Sequence, residues 1–344
     1  MQSFKTVYFD IVGFCNAKCP YCHSGIHRIG RGNKIPVELF EKTLMKLLDK
    51  NVITKGTVIS LYSWGEPFLY NEIHNIINCI NKLDLKYAVS TNASQVPFID
   101  KAFVKNLDHI VFSMPGFSQE SYSRIHGFDF EDIIHNIVTI VKDCRNLGFK
   151  GTFTISYHVY KFNIEEIKKC EQFADDHEIV FRPYYAILNH WWMLQDFVNK
   201  RFSKVEADKV LRNIFNLEDI ENKMKSSPKD YVCPQFNYLI IDENAHMITC
   251  CQLARNHKEY SCGNILDTDI EIILNKRKNH KVCRECVGSG LAYYLNNSMA
   301  MPDFYRRSAK QKVLALKQRI KKTKDLSLGA VLNLLAKTLI CSRT

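Results

Sequence analysis

No apolar run in the 344 residues approaches the ~20 that a membrane-spanning helix needs. The opening stretch, Met1–Lys5, leads straight into a strand-like segment, without the charged start and apolar core of an export signal. Internal repeats and low-complexity tracts are also missing. Nor is the body of the chain basic. The formal net charge is +11, but Val287–Thr344 holds eleven Lys/Arg against Asp303 and Asp325, which leaves 36 basic and 34 acidic residues elsewhere. A charge confined to one end, with no nucleic-acid-binding motif beside it, gives no reason to expect a nucleic-acid partner. These absences lead to the expectation of a cytoplasmic protein.

What the chain has in quantity is cysteine, thirteen in all. In a reducing compartment, clustered thiols point to metal rather than disulfides. The first half alternates short β-branched and aromatic runs with amphipathic stretches. Strands are predicted at Thr6–Val12, Thr57–Tyr62, Lys86–Ser90, His109–Ser113, Gly151–Tyr157 and Ile179–Pro183. Helices are predicted at Pro36–Lys50, with Val37, Phe40, Leu44 and Leu47/Leu48 on one stripe, at Phe130–Leu147, and at Asn163–Asp176. This alternation implies a parallel sheet covered by helices. The α/β units in residues 1–190 number about six, fewer than the eight of a closed barrel. A linker helix region follows at 191–230, then a small cysteine-rich unit at 231–290 and a basic helical tail at 291–344.

The sequence C-N-A-K-C-P-Y-C places Cys15, Cys19 and Cys22 in one loop after the first strand. Three thiolates so close together can wrap one iron–sulfur cluster and leave one iron of a cubane open to a small molecule. A zinc site usually supplies paired Cys-x2-Cys units and four ligands, and no partner pair precedes Cys79. With Tyr21 just before the third cysteine, the motif resembles the signature of the radical SAM superfamily. S-W-G-E-P (Ser63–Pro67) resembles that family's G-G-E-P, S-T-N-A (Ser90–Ala93) its T-N-G, and F-S-M-P-G (Phe112–Gly116) its S-x-D-G. Each closes a strand, at the rim where parallel α/β folds bind ligands.

The resemblance implies a partial (β/α)6 barrel. It implies a [4Fe–4S] cluster on Cys15, Cys19 and Cys22 whose open iron chelates S-adenosylmethionine (SAM). Tyr21, Gly65, Glu66, Asn92, Ser113 and Arg124 become the cofactor-binding candidates, with His126 the alternative to Arg124. An external electron donor such as flavodoxin or ferredoxin is implied as a partner.

A second set of cysteines follows. Cys233 precedes a hairpin pattern that turns at Asp242–Ala245 and runs into Cys250-Cys251; then come C-G-N-I (Cys262–Ile265) and C-R-E-C (Cys283–Cys286). The arrangement is similar to the SPASM and shorter twitch auxiliary domains. Matched residue by residue, it implies one auxiliary [4Fe–4S] cluster on Cys233, Cys250, Cys283 and Cys286, with Cys251 as the alternative to Cys250. Cys251 and Cys262 are then spare thiols and candidate hydrogen-atom donors. A structural zinc site is the alternative for the same four thiolates. Cys79, Cys144 and Cys170 fall in helical patterns and read as small core residues. His74, His135 and His158 read as structural or exposed.

In the tail, Leu328, Val331, Leu332, Leu335 and Leu339 recur at helical spacing behind a Lys/Arg-dense stretch. A packed terminal helix is the preferred reading, and contact with a membrane surface is the sharper one. Cys15 lies too near the start of the sequence for the peptide-recognition domain that peptide-modifying relatives often carry. The expectation is therefore oxidation of a small hydroxylated molecule, such as a sugar, nucleotide sugar or aminocyclitol. Peptide or protein modification, sulfatase-maturation-like, and redox-neutral epimerisation are the alternatives.

Overall fold

A computed structural model describes residues 3–27, 33–253 and 258–322. Six strands, β1 (Thr6–Phe9), β2 (Val58–Ser60), β3 (Lys86–Thr91), β4 (Leu107–Met114), β5 (Thr152–Val159) and β6 (Val180–Tyr185), lie side by side in chain order and all run parallel. This is a mixed α/β fold with the strand sequence of a barrel segment. The other edge of β1 pairs in parallel with β7 (Leu239–Ile241), and β8 (His246–Ile248) and β9 (Ser261–Asn264) extend the sheet in antiparallel fashion. Residues from the cysteine-rich region thus belong to the same nine-stranded sheet.

Strand parity divides the sheet into two chemistries. On β4 and β5, Ile110, Phe112, Met114, Phe153, Ile155 and Tyr157 are wholly buried in the main apolar core. The alternate residues Val111, Ser113, Thr154, Ser156 and His158 line cavities on the concave face. Helices cover the apolar face. They include α1 (Val37–Asp49), which buries Phe40, Leu44 and Leu47, and α2 (Ile73–Lys82), which buries Ile73, Ile76, Ile77, Cys79 and Ile80. In α3 (Phe130–Asn146) Ile133, Ile137, Ile140, Val141 and Cys144 face inward, and Asp129 caps the first turn by accepting from Glu131 N and Asp132 N. Cys79, Cys144 and Cys170 are core residues, as expected.

The helix predicted from Asn163 begins later, as α4 (Ile167–Asp176) behind a 3-10 turn at Ile164–Glu166. Asn163 is committed elsewhere. Its side chain accepts from Tyr160 N (2.9 Å) and donates to Pro115 O (2.7 Å) and His158 O (2.9 Å), bracing the ends of β4 and β5 against each other. Residues 191–230 contain helices Trp191–Val198, Lys204–Leu211 and Ile220–Lys225. These build a second apolar core around Leu194, Val210, Ile214 and Leu217, which takes in Tyr21, Leu291 and Tyr294.

The helix Ala309–Lys322 closes the far edge of the sheet. Gln311 is fully buried; its carbonyl accepts from Phe181 N of β6 (2.7 Å), and its amide donates to Asp175 and to Ile179 O (2.9 Å each). A side chain thereby satisfies backbone that an open edge would leave bare. The leucine stripe Leu328–Leu339 and Cys341 lie outside the described residues. No helix among the described residues is long and apolar enough to cross a membrane. Replacing Gln311 with Ala leaves the Phe181 N–H without its partner in a dry site. We expect a loss of about 1–3 kcal/mol, measured by denaturant unfolding against a Lys310→Ala control.

Candidate active site

The first strand ends at Phe9, and Asp10 follows immediately. The Asp10 carboxylate is buried and accepts from the backbone N–H groups of Ser63 (2.9 Å), Trp64 (3.0 Å) and Gly65 (3.0 Å). Three converging amides neutralise it and fix the S-W-G-E-P loop to the end of β1. Glu66 N donates in turn to Phe14 O (3.0 Å), one residue before Cys15. No side chain fits at Gly65, because a Cβ there would lie 1.9 Å from Val12 O.

Glu66 is buried as well. It accepts from Thr91 Oγ1 (2.7 Å), Asn92 N (2.8 Å) and Phe68 N (3.2 Å). Burial pushes its carboxyl up to about 7 despite those donors. Asn92 donates to Asn16 Oδ1 (3.0 Å) and to Cys15 Sγ (3.6 Å). Ala93 adopts the left-handed backbone (φ 57°), the conformation a glycine takes freely.

Cys15, Cys19 and Cys22 line one cavity of about 270 Å³ together with Tyr21, Gly65, Glu66, Asn92 and Ser113. Lys18 N donates to His126 O (2.9 Å), which anchors the loop between the first two cysteines. Gly25 packs on the same loop, where a Cβ would approach Cys19 O to 2.3 Å. Burial pushes the Cys15 thiol up to about 12, with Glu66 adding to it, and burial beside Cys22 and Cys15 raises Cys19 further. Three thiols in a dry pocket resist ionising together, so a cationic group must compensate the thiolates. The donor set and spacing fit an iron–sulfur cluster with an open iron.

Arg124 is placed elsewhere than the sequence motif predicts. Its guanidinium pairs with Glu120 (2.5 Å) and lies 4.8 Å over the Phe162 ring, in a neighbouring groove. A helix turn carries its side chain outward, and His126 lines the thiol cavity in its stead. His158, read from sequence as structural or exposed, also lines this cavity. Burial holds His126 down to about 3, with His158 adding to the shift, and His158 down to about 4, so both are neutral near pH 7.

The second thiol set surrounds a small cavity lined by Cys233, Cys250, Cys283, Cys286 and Arg277. Cys251 is not part of that lining; its thiol donates to Gln235 Oε1 at 3.3 Å. The adjacent Cys251 thiol holds Cys250 below the ordinary thiol range, with Arg277 contributing. Cys262, the other candidate hydrogen donor, lines none of these cavities. It points from β9 into the core, 2% exposed and 3.3 Å from Thr249 Oγ1. Among the described residues, no three His, Cys, Asp or Glu side chains converge tightly enough to clasp a single metal ion.

A larger cavity, about 680 Å³, adjoins the first thiol cavity and reaches part of the second thiol set. Cys233, Cys250, Cys251 and Cys286 line one side of it. Tyr8, Tyr62, Ser90, Thr154, Ser156 and Tyr184 line the strand side. It shares Tyr62, Ser63, Ser90, Tyr184, Asn189, Gln252 and Met299 with the first thiol cavity.

Comparison with known proteins bears on residues 10–174, just under half of the chain, which the model of the Radical SAM superfamily matches. The chain carries a radical SAM domain. Among curated proteins, the uncharacterized protein MJ0804 of Methanocaldococcus jannaschii is 23% identical over 172 residues, covering 47% of this chain and 52% of that protein. This chain therefore spans about half the length of that relative. Among solved structures, Streptococcus suis SuiB bound to precursor peptide SuiA superposes with a TM-score of 0.56 at 16% identity, over 90% of this chain and 76% of that one. The structure of anSMEcpe with bound AdoMet gives 0.55 at 12% identity, over 98% and 99%. At such identities the likeness is one of fold, and it continues past residue 174 through the cysteine-rich region.

The radical SAM superfamily uses a [4Fe–4S] cluster and SAM, and the match to its model over residues 10–174 supports an enzyme. The geometry here suits that chemistry, with three thiols beside a cavity edged by Gly65, Glu66, Asn92 and Ser113. Asp10 and Arg277 escaped the sequence reading, since their partners are backbone groups remote in the chain. The sequence signal for Asp10 was a lone acid within the apolar run predicted as the first strand, Thr6–Val12; the strand ends at Phe9, just before it. Gly65→Ala should displace the loop into Val12 and abolish the change that SAM causes in the EPR signal of the reduced cluster. Gly56→Ala, whose Cβ would meet only Thr54 Oγ1 at 3.6 Å, should leave that change intact.

Proposed function

We propose that this radical SAM protein oxidises a small hydroxylated molecule held in the cavity between its two thiol sets. The observation that carries the reading is the lining of that cavity. Beside apolar Trp64, Val111, Leu295 and Met299 it carries tyrosine, serine and threonine hydroxyls and the amides of Asn189, Gln235, Gln252 and Asn296, and among the described residues Arg182 is its one charged side chain. Neutral donors and acceptors suit a polyol-like ligand, and no carboxylate among the described lining residues stands ready to hold an extended basic chain.

A cluster held by Cys15, Cys19 and Cys22 would supply reductive cleavage of SAM to the 5′-deoxyadenosyl radical, with electrons from a flavodoxin or ferredoxin. We assign Cys233, Cys250, Cys283 and Cys286 to one auxiliary [4Fe–4S] cluster in a twitch-type region, which would supply an electron acceptor. A substrate radical beside a hydroxyl then loses one electron and one proton and becomes a carbonyl. A cytoplasmic setting would keep both thiol sets reduced.

Redox-neutral epimerisation is the second reading, favoured by the placement of Cys251, a thiol on the shared cavity that the four-thiol set does not need. Peptide modification is the competing substrate class, the solved SuiB complex being one with a precursor peptide.

The test is isotopic. The protein is incubated with SAM, reductant and a metabolite extract from cells grown on a deuterated carbon source. Deuterium should enter 5′-deoxyadenosine from the low-molecular-mass fraction, and the product should be two hydrogens lighter than its precursor. Cys283→Ala with Cys286→Ala should leave SAM cleavage running without that product. Labelling from the peptide fraction alone would defeat the small-molecule reading. An isomeric product lost on Cys251→Ala would replace oxidation by epimerisation.

A further inference from the structure

Arg277 lies in the helix Ile270–Lys278 and is 2% exposed. Its guanidinium is spent on backbone. Nε donates to Thr249 O (3.0 Å), Nη1 to Tyr238 O (2.5 Å) and Nη2 to Gln235 O (2.7 Å), and the group lies 5.6 Å from the centre of the Phe236 ring. No carboxylate among the described residues forms an ion pair with it. Burying a cation without a counter-charge is costly, and guanidinium does not shed its proton to escape the cost. The atoms that could balance it are close. Arg277 lines the same small cavity as Cys233, Cys250, Cys283 and Cys286.

We propose that Arg277 is the counter-charge of the auxiliary cluster, holding its reduction potential up by offsetting the negative charge of four thiolates. The inference rests on the reading of those four thiols as cluster ligands. Such a cluster gains one further negative charge when reduced. A fixed cation beside it in a low-dielectric pocket stabilises the reduced form more than the oxidised form, which raises the potential. A higher potential makes a better acceptor for the electron that leaves the substrate. Arg277 does not line the substrate cavity, so it is a tuning and positioning residue rather than a catalytic one. The choice of arginine also has a structural side. Its rigid fork ties the turn before β7, the end of β8 and its own helix into one frame around the cysteines, a geometry that lysine does not reproduce.

The experiment separates charge from frame. In the full chain carrying Cys15→Ala, Cys19→Ala and Cys22→Ala, only the auxiliary cluster contributes an EPR signal, and its potential is read by redox titration. Arg277→Lys keeps the charge and gives up the fork; Arg277→Gln keeps a polar side chain and gives up the charge. We expect the Gln variant to lower the equilibrium constant for cluster reduction at least tenfold, which is 59 mV for a one-electron couple, and the Lys variant to stay within threefold of its parent. Assembly of the cluster in the Lys variant but not in the Gln variant also supports the charge role. A Gln variant with unchanged potential overturns the proposal alone. Equal loss of the cluster in both variants overturns it in favour of a purely structural tie. A parent that binds no auxiliary cluster overturns the ligand reading beneath it as well.

Discussion

Strand β1 is hydrogen-bonded along both edges, to β2 on one side and β7 on the other, and the site depends on that double pairing. Phe9 stands opposite Ile241, and Asp10 N donates to Ile241 O at 2.9 Å. Both strands run the same way, so their carboxyl ends emerge at one rim, where parallel α/β sheets bind ligands. From β1 the chain enters the loop of Cys15, Cys19 and Cys22. From β7 it turns at Asp242, whose carboxylate accepts from Asn244 N and His246 N, and returns through β8 to Cys250. Two thiol sets more than 200 residues apart in sequence thus line adjoining cavities that share Tyr62, Ser63 and Gln252.

The carboxylates at this rim are committed to structure. Asp10 takes three backbone amides and Glu66 takes two amides and a hydroxyl. The two imidazoles on the thiol cavity are kept neutral by burial. General acid–base chemistry needs groups poised to exchange protons near the working pH; Glu66, raised to about 7, meets that condition, but its oxygens are already taken by two amides and a hydroxyl. Most of the polar groups lining the larger cavity are neutral hydroxyls and amides, Arg182 being the charged exception among the described residues. Tyr62 and Tyr238 pack edge-on against Tyr8 at 5.5 and 5.6 Å, and Ser156 Oγ donates to Tyr184 OH at 2.9 Å, so the hydroxyl-bearing walls are themselves held in place.

Much of this was legible in the sequence where the physics is local. The six parallel strands follow from short β-branched and aromatic runs, and the first cluster loop from the spacing of three thiols. Glu66 and Asn92, which line the thiol cavity, stood out because their motifs close strands. Other features depend on distant contacts. Nothing near Asp10 tells that its partners are amides 53 to 55 residues away. Arg124 and His126 are two residues apart, and only the helix phase decides which faces the thiols. Cys262 looks equivalent to Cys251 by position in the motif, but β9 points it into the core. The helices at 191–230 carry weak amphipathic patterns, because most of the core they pack into comes from elsewhere in the chain, including Tyr21, Leu291 and Tyr294.

The central claim is that Cys15, Cys19 and Cys22 hold the cluster at which SAM is broken. The most direct measurement is the formation of 5′-deoxyadenosine from SAM by the anaerobically reconstituted protein under strong reductant, followed by chromatography and mass spectrometry. The account predicts steady formation by the parent protein and none by the triple variant Cys15→Ala, Cys19→Ala, Cys22→Ala, even where that variant keeps its remaining iron. Undiminished 5′-deoxyadenosine from the triple variant would contradict it.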